Sequence, residues 1–473
     1  MTIFIRLTQI VIETFNGVVL TYFVVLNFFY LLTSVVAYKS LRAYAFRLKA
    51  INLEDLIRDA GAPPVTLLAP AYNEEPTCVE STHALLTLSY PEYEVIVVND
   101  GSRDNTLQRM IEAFEMSRVT RAPSAHLDTA KVRGIYRSAY QPNLWLIDKE
   151  NGGKADALNT GLNYCKTPLF CAMDADSILE SDSLLRIVRP FLEEATTIAS
   201  GGIIRIVNGC TVKHGEVTDV RLPKNFLAKF QVLEYLRAFL SGRMGWSTLK
   251  ATLIISGAFG IFKRSLVVAV GGYNTDTVGE DMELIVKLHR HCREKKITYS
   301  VNFVPDPVAW TECPESVKIL GRQRDRWQRG LYEVLTAHRH MLFNPTYGRI
   351  GMLAYPYFYF LEMLGPAIEF PGYITFVIAM IMGTISPMYM IAFFSVAFVF
   401  GIALSISSVA LEELTFRRYP RTRDLFQLFG LAVLENFGYR QLTIYWRIHG
   451  LISALRNVKG WGQMERKGFN IES

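Results

Sequence analysis

The stretch LFCAMDAD, residues 169–176, joins five consecutive apolar residues to two aspartates. A short apolar run that ends at turn residues is typical of a buried strand in a parallel sheet. Similar runs occur at residues 65–69, 94–98 and 144–147. Amphipathic helical patterns lie between or after these runs, at residues 74–88, 104–117, 154–165 and 181–192. This alternation predicts an α/β domain built on a doubly wound sheet, which binds its ligands at the carboxyl ends of the strands.

Polar residues stand at the carboxyl end of every predicted strand. They are Tyr72-Asn73-Glu74, Asn99-Asp100-Gly101, Asp148-Lys149 and Asp174-Ala175-Asp176. Ordinary turns account for one or two such clusters but poorly for all four. Asp174 and Asp176 have the spacing of two carboxylates that share a divalent cation, which also binds diphosphate oxygens. We therefore expect a divalent cation at this pair, although an isolated D-x-D is a weak signal because aspartate is common in turns.

Two further strand ends carry candidate ligand contacts. Asp100 lies where the order of strands reverses, so its carboxylate is placed to accept hydrogen bonds from a base or a ribose. Gly152 and Gly153 allow a backbone to approach a ligand closely, and Lys154 offsets phosphate charge. A solvated lysine at the start of a helix is the ordinary alternative for Lys154.

Two motifs farther along the chain suggest chemistry on a hydroxyl group. Glu280 and Asp281 precede an amphipathic helix, where acids also serve simply to stabilise the helix dipole. The functional interpretation makes Asp281 a general base for an attacking hydroxyl. The motif QRDRW, residues 323–327, offers an arginine fork for a departing diphosphate and an indole face for a sugar ring. Its ordinary alternative is a basic and aromatic helix at a membrane surface.

Two regions of the chain read as membrane segments. No charged residue occurs between 14 and 38, a run of about 25 residues that is long enough to span a bilayer. Residues 370–411 are also uncharged and suit two helices with a break at Ser386-Pro387. Residues 351–368 and 425–446 fit equally well spans that line a polar channel or helices in the interface, so we expect three to five spans.

The charge pattern orients these segments. Basic residues follow the first span and predict an external N-terminus and a cytoplasmic central domain. The net charge is only +6, and basic residues cluster beside apolar stretches, as in 417–423, which favours contact with lipid headgroups and disfavours nucleic acid. We predict an N-terminal transmembrane helix at 1–48 and a cytoplasmic domain at 49–340 with interfacial helices near 226–246 and 317–343. Transmembrane or interfacial helices and a basic tail are predicted at 341–473.

The motifs taken together resemble those of one enzyme family. They are PAYNE (70–74), VNDGS (98–102), GGKADALN (152–159), DAD (174–176), GED (279–281) and QRDRW (323–327). Their order and spacing are similar to those of the processive family 2 glycosyltransferases, which include poly-N-acetylglucosamine, hyaluronan, chitin and cellulose synthases. The resemblance covers roughly residues 60–340. It implies a GT-A (Rossmann-like) domain and an inverting, processive transfer of sugar from a UDP-sugar to an exopolysaccharide, coupled to translocation across the membrane.

The resemblance implies a role for each motif residue on the donor side. Tyr72, Glu74 and Asp100 match positions that hold the nucleobase. Lys154 and Asp156 match the second nucleotide-binding element. Asp174 and Asp176 match the positions that bind the diphosphate and its metal ion, Mg²⁺ or Mn²⁺.

Roles on the acceptor side follow in the same way. Asp281 matches the catalytic base, with Glu280 beside it. Positions that meet the acceptor end and the diphosphate are matched by Gln323, Arg326, Trp327 and the loop residues Ser256 and Gly257. One departure is Gly279, which stands where the family commonly has threonine, and it puts a neighbouring hydrogen bond in doubt.

Other functions fit parts of the pattern. A glycolipid synthase similar to ceramide glucosyltransferase shares the Q-x-x-R-W motif and adds a single sugar. A non-catalytic export subunit is disfavoured because the acidic set is complete. The expected partners are a UDP-sugar donor, a polysaccharide or lipid acceptor, the lipid bilayer and accessory membrane or export subunits. The expected location is the cell membrane, with several spans, while the sugar stays open among N-acetylglucosamine, glucose, glucuronic acid and galactose.

Overall fold

The computed structural model describes residues 2–50, 61–174, 177–213 and 215–458. The chain begins with one long helix, α1 (Thr2–Ala50), and continues into a mixed α/β domain. Asp176, one of the two predicted metal ligands, lies outside the described residues.

A mixed sheet of ten strands forms the centre of the domain. Its strands are β1 (Val65–Ala71), β2 (Tyr93–Asn99), β3 (Met116–Arg118), β4 (Val132–Ser138), β5 (Leu144–Lys149), β6 (Leu169–Met173), β7 (Ile178–Leu179), β8 (Thr197–Ile206), β11 (Phe259–Lys263) and β12 (Ser300–Thr311). They lie in the order β3-β4-β5-β2-β1-β6-β11-β8-β12-β7. A separate hairpin is formed by β9 (Thr211–Lys213) and β10 (Glu216–Asp219).

The four strands predicted from the sequence are confirmed and form one parallel block. β5 pairs with β2, β2 with β1, and β1 with β6, all in parallel. Residues of β1 alternate between two hydrophobic cores, since Leu67 packs on one face of the sheet and Leu68 on the other. A sheet buried on both faces is the doubly wound arrangement that the apolar runs predict.

The helices of the domain cover both faces of the sheet. They are α2 (Cys78–Leu86), α3 (Thr106–Ala113), α4 (Lys154–Tyr164), α5 (Ser183–Glu193), α6 (Phe226–Tyr235), α7 (Met244–Thr248), α8 (Arg264–Ala269), α9 (Glu280–Glu294) and α10 (Val317–Ala337). The prediction of a helix through residue 117 is wrong. Ser117 belongs instead to β3, where it pairs with Arg137 of β4 and extends the sheet at its edge.

The predicted amphipathic helix at 226–246 is present with an irregular centre. α6 and α7 are joined by a π-helical segment, Leu236–Arg243. Gly245 of α7 packs directly on α1, because a Cβ atom at Gly245 would lie 2.6 Å from the carbonyl oxygen of Thr33. The first long helix therefore touches the segment that leads into the predicted acceptor loop.

Three helices within the described residues are long and apolar enough to cross a membrane: Val11–Arg47, Ile350–Ile381 and Pro387–Thr415. The predicted break at Ser386-Pro387 is confirmed, because α11 (Gly365–Ile381) ends before it and α12 (Pro387–Phe394) begins at the proline. A π-helical segment joins α12 to α13 (Phe400–Thr415). Residues 425–446 divide into α14 (Thr422–Leu434) and α15 (Tyr439–Leu455), with Gly438 at a φ of 100° between them.

Ion pairs fasten the C-terminal helices to the α/β domain. The guanidinium of Arg205 in β8 lies 2.8 Å from Glu412 of α13, and both side chains are buried. Arg418 pairs with Glu180 at 2.8 Å. Arg421 pairs with Asp219 at 3.0 Å. Part of the basic cluster that was expected to meet lipid headgroups therefore contacts carboxylates of the domain.

Candidate active site

Hydrogen bonds join the loop that follows β1 to the loop that follows β2. Asn73 adopts a φ of 55°, in the left-handed region, where its backbone amide donates to Ser102 Oγ at 3.0 Å. The amide of Arg103 donates to Asn73 Oδ1 at 2.8 Å. The amide of Glu74 donates to Thr106 Oγ1 at 3.0 Å. These bonds hold the PAYNE and NDGS motifs at one edge of the sheet, as the parallel strand order requires.

Asp100 is the organising carboxylate of the glycine-rich loop. Its side chain accepts hydrogen bonds from the amides of Gly152 at 3.0 Å and Gly153 at 2.8 Å, and from Asn151 Nδ2 at 3.1 Å. Lys149 Nζ lies 2.5 Å from Asp100 Oδ1. Burial raises the pKa of the Asp100 carboxyl, while Lys149 and the two amides oppose that rise. Asp100 is only 3% exposed, and its carboxylate is already bonded to the glycine-rich loop. Its recognition of a nucleobase therefore stays a prediction.

Asp156 is likewise turned inward. Its Oδ1 lies 2.6 Å from Nζ of Lys149, which is fully buried between Asp100 and Asp156. Its Oδ2 accepts from the amide of Ala130 at 2.9 Å. A Cβ atom at Gly152 would lie 2.5 Å from Asp156 Cγ, so only glycine permits this approach. In the structure Asp156 shapes the loop that carries Lys154, and its contact with the nucleotide stays a prediction.

Lys154 lies between two acidic residues of the site, Asp174 and Glu280. Its Nζ contacts Asp174 Oδ1 and lies 3.9 Å from Glu280 Oε1 and 3.5 Å from the carbonyl oxygen of Gly257. Burial lowers the pKa of Lys154, but Asp174 and Glu280 outweigh that effect and the pKa is raised. The lysine therefore stays protonated and bridges the end of β6 to the start of α9.

Glu280 and Asp281 occupy the first turn of α9. Burial raises the pKa of Glu280 to about 7, although Lys154 opposes the rise. Asp281 Oδ2 accepts from the amide of Gly257 at 3.2 Å, and its Oδ1 accepts from the amide of Met282 at 2.8 Å. The predicted base and the Ser256-Gly257 loop are thus brought together.

The QRDRW motif lies on α10 beside this turn. Gln323 is buried, and its Oε1 has no hydrogen-bond partner among the described residues. Arg326 lies near enough to Glu280 to lower the pKa of that carboxyl. Trp327 keeps 42% of its surface exposed. The motif therefore borders the acidic cluster and presents an indole to solvent.

Gly279 has a structural reason to replace threonine. A Cβ atom at Gly279 would lie 3.0 Å from the Cα of Gly330, and one at Gly330 would lie 2.9 Å from the Cα of Gly279. The backbones of α10 and of the turn before α9 touch at this pair. Two glycines thus set the distance between the QRDRW helix and the predicted base.

Sequence reasoning missed Arg243, which ends the π-helical segment. Burial lowers the pKa of its guanidinium to about 10, and Asp281 opposes that effect. The guanidinium lies 3.9 Å over the ring of Phe239. The sequence offered little signal, because Arg243 is one of four charged residues in the helical pattern at 226–246. The π-helical turn brings the guanidinium within electrostatic reach of Asp281, which periodicity does not reveal.

The described side chains at the predicted metal site are the carboxylate of Asp174 and the ammonium of Lys154. Within the described residues there is no group of three or more His, Cys, Asp or Glu side chains that could hold a metal ion. Asp174 is partly exposed at the strand end and supplies carboxylate oxygens, which hard divalent cations prefer. These cations commonly complete their shell with phosphate oxygens and water. The residues therefore fit a cation shared with a diphosphate, which would compete with Lys154 for Asp174.

The fold and the site together define a class of protein. An α/β sheet with acidic strand ends, a glycine-rich loop and a carboxylate at a helix start forms a ligand site at the carboxyl edge of the sheet. The model for Glycosyl transferase family 2 matches residues 66–266, and that for Glycosyl transferase family group 2 matches residues 169–404. The two models together span residues 66–404, so the chain carries family 2 glycosyltransferase domains, as the motif set predicts.

Curated relatives point to the same family. The chain is 29% identical over 272 residues to the poly-beta-1,6-N-acetyl-D-glucosamine synthase of Staphylococcus epidermidis, which covers 57% of this chain and 55% of the relative. The synthase of the same name from Staphylococcus aureus strain COL gives the same identity and the same shares. The chain thus spans about half the length of the curated relatives it matches.

A solved structure supports the fold. A mannosyltransferase from Pyrobaculum calidifontis, solved in complex with GDP-Man and Mn²⁺, superposes with a TM-score of 0.52 at 19% identity. The match covers 92% of this chain and 100% of that one. The predicted GT-A domain architecture is thereby confirmed at the level of the fold.

Proposed function

We propose that the protein transfers a sugar from a UDP-sugar to a hydroxyl of a growing polysaccharide, with inversion and at the cytoplasmic face of a membrane. The observation that carries the proposal is the meeting of Asp174, Lys154 and Asp281 at the carboxyl edge of the sheet. The curated relatives are named as poly-N-acetylglucosamine synthases, so UDP-N-acetylglucosamine is the first donor to test.

The chemistry of the proposal follows from the geometry. Asp281, fixed by the amides of Gly257 and Met282, accepts the proton of the acceptor hydroxyl as its oxygen forms a bond to the anomeric carbon. The bond from that carbon to the diphosphate oxygen breaks on the opposite face, so an α-linked donor gives a β-linked product.

The departing diphosphate needs positive charge. Lys154 and Arg326 lie beside the acidic cluster and are placed to offset the charge that develops on it. When bound, Mg²⁺ or Mn²⁺ would be held by Asp174 and Asp176 and would neutralise diphosphate oxygens. The Mn²⁺ in the complex of the Pyrobaculum calidifontis mannosyltransferase supports a divalent cation in this fold.

Processivity and membrane placement belong to the same proposal. Trp327 offers an exposed indole at the acceptor side, on which a product sugar can stack between transfers. The three long apolar helices provide spans beside the domain, and the contact of Gly245 with α1 brings the acceptor loop close to one of them. We place the domain in the cytoplasm from the basic residues that follow the first span.

The proposal is tested by identifying the sugar donor that the protein uses and the product that it makes. The full chain, purified in lipid nanodiscs, is incubated with a panel of UDP-sugars and Mn²⁺ or Mg²⁺, and UDP release is followed. The product is then sized and digested with linkage-specific glycosidases. We expect UDP release from UDP-N-acetylglucosamine and a ladder that a β-hexosaminidase digests. A single lipid-linked sugar would favour the glycolipid synthase, and no release from any donor would contradict the proposal.

A further inference from the structure

Arg324, inside the QRDRW motif, lies against the indole of Trp327. Its side chain is 3% exposed, and its guanidinium carbon lies 4.2 Å from the centroid of the indole ring. The two residues are three apart on α10, so they share one face of the helix. A cation over one face of an indole is attracted to the ring and restricts its rotation.

A carboxylate from another helix fixes Arg324. Glu234, in the last turn of α6, accepts from Arg324 Nη2 at 2.8 Å. Tyr439, the first residue of α15, donates its hydroxyl to the same oxygen, Glu234 Oε2, at 2.8 Å. The ring of Tyr439 in turn stacks on Phe230 of α6 with centroids 4.9 Å apart. Residues of α6 and α15 therefore hold the guanidinium in one position and restrict its motion.

Close packing makes this bridge stiff. A Cβ atom at Gly450 of α15 would lie 2.6 Å from the carbonyl oxygen of Asp325, and one at Gly321 would lie 2.7 Å from Trp446 Nε1. The helices α10 and α15 thus approach as closely as their backbones allow. A displacement of α6 or α15 would be transmitted to Arg324 and then to the indole.

We propose that Arg324 is a positioning residue, held by Glu234 and Tyr439, that fixes the indole of Trp327 as a stacking platform for the acceptor sugar. The guanidinium covers one face of the ring, which leaves the opposite face for the C–H groups of a sugar. This inference rests on the proposed function. It adds that the acceptor affinity is set by α6 and α15, which lie outside the motif.

A double-mutant cycle tests this role. The full chain in nanodiscs is assayed with UDP-N-acetylglucosamine and a β-1,6-linked N-acetylglucosamine oligosaccharide as the acceptor. Arg324→Met should raise the acceptor KM about fivefold to tenfold, with kcat and the donor KM little changed. In a Trp327→Ala background the same substitution should add no further change, because the platform is already gone. Arg322→Met, an exposed arginine on the same helix, is the matched control.

The variants also separate positioning from folding. Since Arg324→Met leaves the Glu234 carboxylate without its cation, the pair Arg324→Met with Glu234→Gln keeps the site neutral and should give the same acceptor KM. Arg324→Lys keeps the charge but not the planar group and should restore the acceptor KM in part.

Three results would overturn the inference. The first is that Arg324→Met changes the acceptor KM equally in the wild-type and Trp327→Ala backgrounds. The second is that Arg324→Met lowers kcat equally for all substrates. The third is that Trp327→Ala leaves the acceptor KM unchanged. Each of these would leave sugar transfer by the wild type intact. Absence of transfer by the wild type would instead remove the proposed function, and the inference with it.

Discussion

The donor side and the acceptor side of the site are held by different kinds of contact. On the donor side, loops at the carboxyl edge of the sheet are joined by short hydrogen bonds, such as that from the amide of Arg103 to Asn73 Oδ1. On the acceptor side, α10 is held by helices distant in sequence, as in the pairs of Arg324 with Glu234 and of Asp325 with His449. The first side follows from strand order, and the second from helix packing.

The two sides meet at the start of α9. Lys154 reaches Glu280 from the donor side, and Gly279 touches Gly330 from the acceptor side. A change on one side should therefore alter binding of its own ligand, whereas a change at the meeting point should stop transfer without removing either ligand.

The largest effect is expected at the meeting point itself. Asp281→Asn removes the proton acceptor but keeps the side-chain shape, so kcat should fall about 10²-fold to 10⁴-fold. UDP should still bind with nearly unchanged affinity by calorimetry. The exposed Asp276→Asn, five residues earlier, is the matched control and should turn over normally. Near-normal turnover by the Asp281 variant would remove Asp281 from the role of base.

A smaller loss is expected when the donor side is changed. Asp174→Asn removes charge from the predicted cation site and also the partner of Lys154. Transfer should fall roughly a hundredfold, together with the dependence of the remaining activity on Mn²⁺, because charge stabilisation by a cation contributes several kcal/mol. The same outcome is expected when Asp176→Asn is added. Full rescue of the double variant by excess Mn²⁺ would contradict the ligand assignment.

The packing of the acceptor side gives the next effect. In Gly330→Ala, the new methyl group would lie 2.9 Å from the Cα of Gly279, so α10 must move away from α9. Overpacking of this kind costs about 1–3 kcal/mol. We expect a lower melting temperature and a higher acceptor KM, with UDP affinity unchanged.

The matched control for this packing test is Gly430→Ala. Gly430 lies in α14 with open space around the position of a Cβ atom, so alanine should be tolerated there. A fall in UDP affinity as large as the rise in acceptor KM would show that the two sides are not separate.

The smallest effect is expected in the donor loops. Asn73→Gly keeps a residue that tolerates the φ of 55° but removes the acceptor for the Arg103 amide. One such hydrogen bond contributes about 1 kcal/mol, so UDP affinity should fall about fivefold with the acceptor KM unchanged. Asn73→Ala, which also strains the backbone, should fall further. Equal UDP affinities for both variants and the wild type would show that this hydrogen bond between the loops does not contribute to donor binding.

The sequence predicts the donor side well because strands and turns are local. All four predicted strands are found, and β6 spans the predicted residues, since an apolar run with an acidic end has few alternatives. The second helix was expected at residue 74 but begins at Cys78, because Glu74 and Glu75 bond to the neighbouring loop. The burial of Asp100 and Asp156 depends on Lys149, and no local pattern indicates that contact.

Local sequence patterns do not predict the contacts that hold the acceptor side together. The Q-x-x-R-W motif marks α10, but the importance of Arg324 arises from Glu234 and Tyr439, which are far away in the chain. The contact between Gly279 and Gly330 has the same origin. Helix pairs of this kind are specified by tertiary packing, which a single sequence does not display.

A cryo-EM structure of the full chain in lipid nanodiscs with UDP and Mn²⁺ tests most directly whether the two sides meet in one site. We expect Mn²⁺ between Asp174 and the diphosphate, Lys154 released from Asp174, and Asp281 still bonded to the amide of Gly257. The cleft should open from Asp281 toward the exposed indole of Trp327. UDP bound away from the end of β6, or Asp281 in a cleft separate from the diphosphate, would contradict the account.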